Sequence, residues 1–290
     1  MNGFINILKP TGMTSHQCVA YFRKLLHFKK IGHAGTLDPG ASGVLPICLG
    51  KGTKAAAYLL EARKVYRAEL YLGASTDSQD AYGKILETAS LTSITSALIE
   101  EVMEDFIGNI KQIPPMHSAV KHKGRPLYKL ARKGEVVTRK PREVTVYTLD
   151  IIDINIPRVL FEVECSKGTY IRTLAADIGN KLGVGAYLSF LLRTQSGPFK
   201  IEESFTILEI EQYLKAGSIQ DCIIPLDIVF THLPSVIIKD QARNTLINGA
   251  AQSLNNLQNY DISDKMVRVY SSSGDFLALG KWYHESPEVT

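Results

Sequence analysis

Asp38 is the first acidic residue of the chain, and it stands in the stretch Gly32-His33-Ala34-Gly35-Thr36-Leu37-Asp38-Pro39-Gly40-Ala41-Ser42-Gly43. An aspartate before proline is an ordinary turn residue. The surroundings open a second reading. Residues 1–60 carry Lys9, Arg23, Lys24, Lys29, Lys30, Lys51 and Lys54 and no acid besides Asp38. Nearby cations favour an ionised carboxylate, and the glycines let a ligand or backbone approach closely. An ionised, accessible carboxylate can serve as a nucleophile or a base. His33 precedes Asp38 by five residues, a spacing that fits no metal motif, and a lone histidine is as readily structural.

The second candidate is Ser166-Lys167-Gly168-Thr169-Tyr170-Ile171-Arg172-Thr173. If this run is extended, Tyr170 and Arg172 face the same way, and the arginine can pair with a distant carboxylate. If Lys167-Gly168 is a strand-to-helix turn, Tyr170 is a core residue. Both readings fit the residues. Other chemistries fit poorly. Gly50-Lys51 is followed by Gly52, and position 45 is Leu45, so the phosphate-loop pattern fails. There is no G-x-S-x-G elbow, and no H-E-x-x-H or clustered ligand set that suggests a metal. Glycoside hydrolysis uses two carboxylates, whereas the Asp38 stretch offers one.

Regular elements must position these groups. Phe4-Ile5-Asn6-Ile7-Leu8 reads as a strand stopped by Lys9-Pro10 and Gly12. Thr14-Ser15 can cap a helix carrying Val19, Phe22 and Leu26. Residues 31–54 hold six glycines and two prolines and read as one long functional loop. Residues 65–72 alternate, with Tyr66, Ala68, Leu70 and Leu72 on one face of a half-buried strand. Gly73 to Gly83 is a polar loop. A helix is predicted near 93–107, strands at 143–155 and 159–165, and a helix from about Thr173 to Leu182. These elements lack a regular βαβ rhythm, so the expected class is α+β with a mixed, largely antiparallel sheet. Residues 233–290, with short strands near 235–238, 266–270 and 276–282, read as a small β-rich domain beside a main domain at 1–232.

The 290 residues are 45% hydrophobic and 21% charged, too apolar for a disordered chain. No apolar run approaches the ~18 residues of a membrane span, and the first ten residues lack the pattern of a secretory signal. Cys18, Cys48, Cys165 and Cys222 are widely spaced, which fits reduced thiols. A cytoplasmic protein without membrane contact is expected. The net charge of +4 is unevenly spread: residues 121–142 carry nine basic residues against Glu135 alone. Such a run is usually a solvated face, but two acid-poor blocks in a nearly balanced chain favour a polyanionic partner. Gly124, Pro126, Gly134 and Pro141 make the second block an exposed loop or a short broken helix.

Taken together, these stretches resemble the bacterial tRNA pseudouridine-55 synthases, the TruB family. The matching text is Leu8-Lys9-Pro10-Thr11-Gly12-Met13-Thr14-Ser15, Gly32 to Pro39 with Ala41 and Gly43, Lys64-Val65-Tyr66, the Gly73-to-Gly83 loop, Pro114-Pro115 with Ser118-Ala119, and Gly168-Thr169-Tyr170-Ile171-Arg172. It runs in order through residues 4–200. The resemblance implies an isomerase that turns uridine 55 of the tRNA T loop into pseudouridine, with base flipping and no cofactor. It implies Asp38 as the catalytic aspartate, Arg172 as its partner and Tyr66 stacked on the flipped uracil. Tyr170 and Leu191 would line the same pocket, with Leu192 the match if the register slips by one. His33 would pack into the opened tRNA loop. Residues 121–142 resemble the family's thumb loop, which grips the T arm, and residues 233–290 resemble a PUA RNA-binding domain. A monomer without an obligate protein partner is expected. Gly40 departs from the larger residue expected in the aspartate loop. The rival classes are a non-catalytic RNA binder or tRNA-folding chaperone, a relative acting on another RNA, and a small-molecule enzyme. The first explains the charge but not Asp38 beside a matched Tyr66 and Arg172.

Overall fold

The computed structural model describes residues 1–131, 133–259, 265–283 and 288–289. Arg132 of the basic segment, and residues 260–264, 284–287 and 290 of the expected C-terminal domain, lie outside the described residues.

One mixed sheet organises the main body. Its path runs through strands Gly3–Lys9, Ser42–Leu49, Ala186–Ser196, Lys64–Leu72, Arg158–Cys165, Arg142–Asn155 and Gly108–Gln112. Ile31–His33 adds alongside Ser42–Leu49, and Phe199–Lys200 alongside Ala186–Ser196. Neighbours are antiparallel except Ala186–Ser196 and Ser42–Leu49, which meet in parallel at Leu192–Ser42 and Arg193–Gly43. This is the mixed, largely antiparallel sheet expected from the sequence.

Lys64–Leu72 is the middle strand. Its alternation buries Ala68, Leu70 and Leu72, and half-buried Tyr66 packs against the same core. Val159, Phe161 and Val163 of the next strand join them, and helix Ile171–Lys181 lays Leu174, Ala175 and Ile178 on top. A second core forms at the other wing. There Ile5, Ile7, Leu45 and Ile47 meet Val19 and Phe22 of helix Ser15–Leu25 and Ile210 of helix Ile207–Lys215. Each such side chain contributes about 1.5–3 kcal/mol on burial, so both wings of the sheet are fixed relative to its middle.

The structure corrects one sequence expectation, decides between two open readings and adds a strand. Residues 31–54 are not one loop: strands Ile31–His33 and Ser42–Leu49 and helix Gly52–Glu61 leave 34–41 and the short turn at 50–51 irregular. Val44 to Leu49 are all buried, so the strand shows no alternation and its flanking glycines dominated the reading. Tyr170 and Arg172 do not share an extended run. Tyr170 caps helix Ile171–Lys181, and Arg172 lies in its first turn. Strand Ala186–Ser196 was not foreseen, because bulges between Leu188 and Phe190 and between Arg193 and Gln195 break its period.

The basic segment folds into paired Lys121–His122 and Arg125–Pro126 followed by a short helix, Leu127–Ala131, anchored by buried Leu127 and Leu130. From residue 235 a second sheet begins. Ser235–Ile238 runs parallel to Met266–Tyr270, which pairs antiparallel with Phe276–Tyr283. It encloses its own core of Val236, Ile238, Val267 and Val269. It docks on the main body where the rings of Phe230 and Phe276 stack at 6.1 Å and the Tyr270 hydroxyl donates to Asp227 at 2.7 Å. No described helix is long and apolar enough to cross a membrane.

Candidate active site

The loop that carries Asp38 is held from three sides. The first support is the turn at residues 9–15. Lys9 is fully buried, and its ammonium donates to the carbonyls of Pro10 (2.8 Å) and Met13 (2.7 Å), closing the turn. Burial pulls Lys9 below the ordinary lysine range, and the Asp38 charge acts against that pull. The Gly12 N–H donates to the Pro39 carbonyl at 2.8 Å. Ser15 Oγ accepts from the Leu37 N–H at 2.8 Å and donates to the Leu37 carbonyl at 3.1 Å. Both neighbours of Asp38 are therefore pinned by one turn.

The second support is Arg193, which is fully buried. Its Nε donates to the Val44 carbonyl at 2.8 Å and its Nη2 to the Gly35 carbonyl at 3.1 Å, so one side chain joins the two ends of the loop. The approach is close: a Cβ on Gly43 would stand 2.2 Å from the Arg193 carbonyl oxygen. Gly35, at φ +101, adopts a backbone conformation that favours glycine.

Arg172 is the third support. Its Nε meets Asp38 Oδ2 at 3.0 Å. Its Nη1 donates to the Ser78 carbonyl (3.0 Å) and lies 3.7 Å from Asp80 Oδ2; its Nη2 donates to the His117 carbonyl (2.8 Å). The arginine side chain is 6% exposed and the Asp38 side chain 43%. The guanidinium is thus locked by four partners, and the carboxylate it orients stays open to a ligand. Asp80, at 19%, is the more enclosed of the two acids.

The remaining candidates line the surroundings. Tyr66 lies opposite Arg193 on the neighbouring strand, and Tyr66 and Leu191 pack against the same core. Burial raises the Tyr66 phenol above its ordinary range, while the facing Arg193 guanidinium opposes the shift. Tyr170 is fixed through its backbone: its N–H donates to Gln112 Oε1 (2.9 Å) and its carbonyl accepts from Gln112 Nε2 (3.2 Å), with Gln112 buried. His33 ends the strand Ile31–His33. Burial pushes its imidazole below the ordinary range, and the Arg193 and His16 charges push the same way. The structure therefore joins Asp38 to Arg172 and puts Tyr66 within reach of the Asp38 charge; Tyr170 precedes the helix that carries Arg172, and Leu191 lies on the strand beside Tyr66. Arg193, Asp80, Ser15 and Gln112 escaped the sequence reading. Arg193 carried one usable signal, a single charge after the apolar run Phe190-Leu191-Leu192. Among the described residues, no group of three or more His, Cys, Asp or Glu is placed to hold a metal.

Comparison with known proteins gives the family. Residues 23–171 match the TruB family pseudouridylate synthase N-terminal domain, and residues 172–231 match the tRNA pseudouridylate synthase B C-terminal domain. The tRNA pseudouridine synthase B of Alkaliphilus oremlandii is 49% identical over 249 residues, covering 86% of this chain and 82% of that one. The protein of the same name from Caldanaerobacter subterraneus is 44% identical over 281 residues, covering 97% and 95%. Among solved structures, one in a crystal structure of a Cbf5-Nop10-Gar1 complex superposes with a TM-score of 0.73 at 34% identity, covering 97% of this chain and 78% of that one. Another, in an H/ACA RNP bound to a substrate RNA containing 2'-deoxyuridine, gives 0.72 at 32% identity, with 97% and 78% covered. In sequence, in fold and in the matched span that carries Asp38, the chain belongs to the TruB family of pseudouridylate synthases.

Proposed function

We propose that this chain isomerises uridine 55 in the T loop of tRNA to pseudouridine, with Asp38 as its catalytic carboxylate and no cofactor. That it is a tRNA pseudouridine synthase, an isomerase, follows from family membership and from relatives of that name at 44–49% identity. The relatives solved in the Cbf5-Nop10-Gar1 complex and in the H/ACA RNP stand further off at 32–34%, which favours tRNA as the substrate. The single observation that carries the mechanism is the open carboxylate of Asp38 on a loop pinned on both sides and aimed by a buried arginine.

The reaction breaks the N1–C1′ bond, turns the uracil and joins C5 to C1′, and the hydrogen on C5 leaves as N1 regains a proton. Atoms and electrons balance within the substrate, so no external oxidant or reductant is required. Asp38 supplies one oriented carboxylate to attack the sugar or the base, or to take a ribose proton. A duplex-like stack must release the base, at a cost of a few kcal/mol. Stacking on Tyr66 offsets about 1–3 kcal/mol of it. Tyr170 and Leu191 complete the walls of the uracil pocket, and His33 enters the opened loop. The segment 121–142 acts as a thumb on T-arm phosphates, the C-terminal sheet is a PUA-like RNA-binding unit, and the enzyme works without an obligate protein partner. Among the described residues, none of the thumb's basic side chains forms an ion pair, so their charge is free for phosphate.

Carbodiimide modification followed by reverse transcription of a treated tRNA transcript tests the assignment. A single new stop is expected one nucleotide 3′ of position 55, where the polymerase halts before the modified base. Stops elsewhere, or none, would overturn the substrate position.

A further inference from the structure

Gly40, two residues after Asp38, does not need to be glycine for its backbone, since its φ lies outside the left-handed region. The room for a side chain there is taken by a neighbour. A Cβ built on it would stand 2.1 Å from Cε2, 2.8 Å from Cζ and 3.0 Å from Cδ2 of Tyr82. The Tyr82 ring therefore rests directly on the backbone of the aspartate loop, in the space that a side chain at position 40 would fill. Yet the residue is 79% exposed, the largest exposure among the large hydrophobic side chains described.

The base of this ring is rigid. The Ala81 N–H donates to the Leu188 carbonyl at 3.0 Å, tying the turn to the central sheet. The Tyr82 N–H donates to Asp80 Oδ1 at 3.0 Å, and Ser78 Oγ donates to the same oxygen at 2.5 Å. Asp80 in turn lies 3.7 Å from the Arg172 guanidinium that orients Asp38. Ring and carboxylate thus share one frame. A solvent-facing aromatic ring on this pinned backbone gains little from the small area it buries on Gly40. It is suited to an incoming planar partner, and an RNA base offers a π-face of any sequence.

We propose that Tyr82 is a further substrate-positioning residue, a stacking platform at the rim of the site for an RNA base next to the flipped uridine. This rests on the RNA-modifying reading above and adds to it a second aromatic contact, built from the Gly40–Tyr82 pair. Stacking and mere shielding of the loop make different demands. Shielding needs apolar bulk, which leucine supplies; stacking needs a ring, which phenylalanine supplies.

The test uses the full chain and an unmodified tRNA transcript, comparing Tyr82→Phe, Tyr82→Leu and Tyr82→Ala, with thermal melting to verify folding. Stacking predicts that Phe retains wild-type affinity, while Leu and Ala both weaken tRNA binding ~10-fold. A fluorescent purine placed beside the target should be quenched by wild type and by Tyr82→Phe and should brighten with Tyr82→Leu. Gly40→Ala, which drives the ring off its seat, should behave like Tyr82→Leu. Wild-type affinity and quenching in both Leu and Ala variants would overturn the proposal while leaving the enzyme reading intact. Failure of the wild-type chain itself to bind or turn over tRNA would instead overturn the reading on which it rests.

Discussion

The aspartate loop at 34–41 and the basic segment at 121–142 share a glycine- and proline-rich composition, and they are held very differently. In the first, Gly35, Leu37, Asp38 and Pro39 each meet a partner from another element. The second is tethered by Leu127 and Leu130, by backbone bonds to Ser118 and Val120, and by Arg139 Nη1 on the Pro114 carbonyl. Lys121, Lys123, Arg125, Lys129, Lys133, Lys140 and Arg142 are exposed. The difference fits the role proposed for each. A reacting carboxylate must be placed to within a fraction of an ångström, and a misplacement of about 1 Å can cost ~100-fold in rate. Phosphates of a folded RNA can be met by point charges on a pliable arm, because the interaction is long-ranged and tolerant of geometry. In the proposed roles, similar loop composition would serve chemistry where it is buttressed on every side and grip where fewer anchors hold it.

Substitutions can sharpen or break this contrast. The largest effect is expected from Arg172→Lys, which keeps a charge but loses the fork that holds Asp38, Ser78 and His117 together. It should lower kcat ~100-fold with KM little changed in steady-state assays on a tRNA transcript. Next comes the combined change of Lys121, Lys123 and Arg125 to Glu. It should raise KM at least ~10-fold, leave kcat near wild type and flatten the salt dependence of binding by ~2–3 units of slope. A fall in kcat instead would mean that this segment takes part in the chemistry. Ser15→Ala strips two hydrogen bonds from Leu37 and should cost ~1–3 kcal/mol of stability, read by denaturant titration, with a drop of about tenfold in kcat. The smallest effect concerns Asp177, a partly buried carboxyl in helix Ile171–Lys181 that burial raises from 3.8 to about 6. Its folded form holds the proton more tightly, so this group favours folding at low pH and opposes it as pH rises through about 6. Asp177→Asn should therefore gain stability relative to wild type at pH 7 and lose that gain near pH 4, as seen in melting temperatures across pH.

Much of the scaffold was legible where burial is one-sided. The alternation at Tyr66, Ala68, Leu70 and Leu72 marked the middle strand, and Thr14 marked the helix start that it does cap. Two-sided burial hid Ser42–Leu49, and bulges hid Ala186–Ser196, because both erase the period-two signal. At the site, Asp38 and Arg172 stood out as charges in unusual company. Arg193, Ser15, Asp80 and Gln112 did not, since Arg193, Ser15 and Gln112 work by hydrogen bonds across 22 to 158 positions of sequence and Asp80 by its approach to distant Arg172, relations that spacing does not display. Gly40 was visible as a departure from the family pattern, but its cause, the ring of Tyr82, appears only in three dimensions.

The most direct test of the account is tritium release from a tRNA transcript labelled at uracil C5, with chelator present and no added cofactor. Bonding at C5 must expel that hydrogen. Wild type should release one equivalent per tRNA, and Asp38→Asn should fall by ~10,000-fold or more while binding tRNA as wild type does. Release that persists in Asp38→Asn would contradict the central claim and return Asp38 to the role of a turn residue.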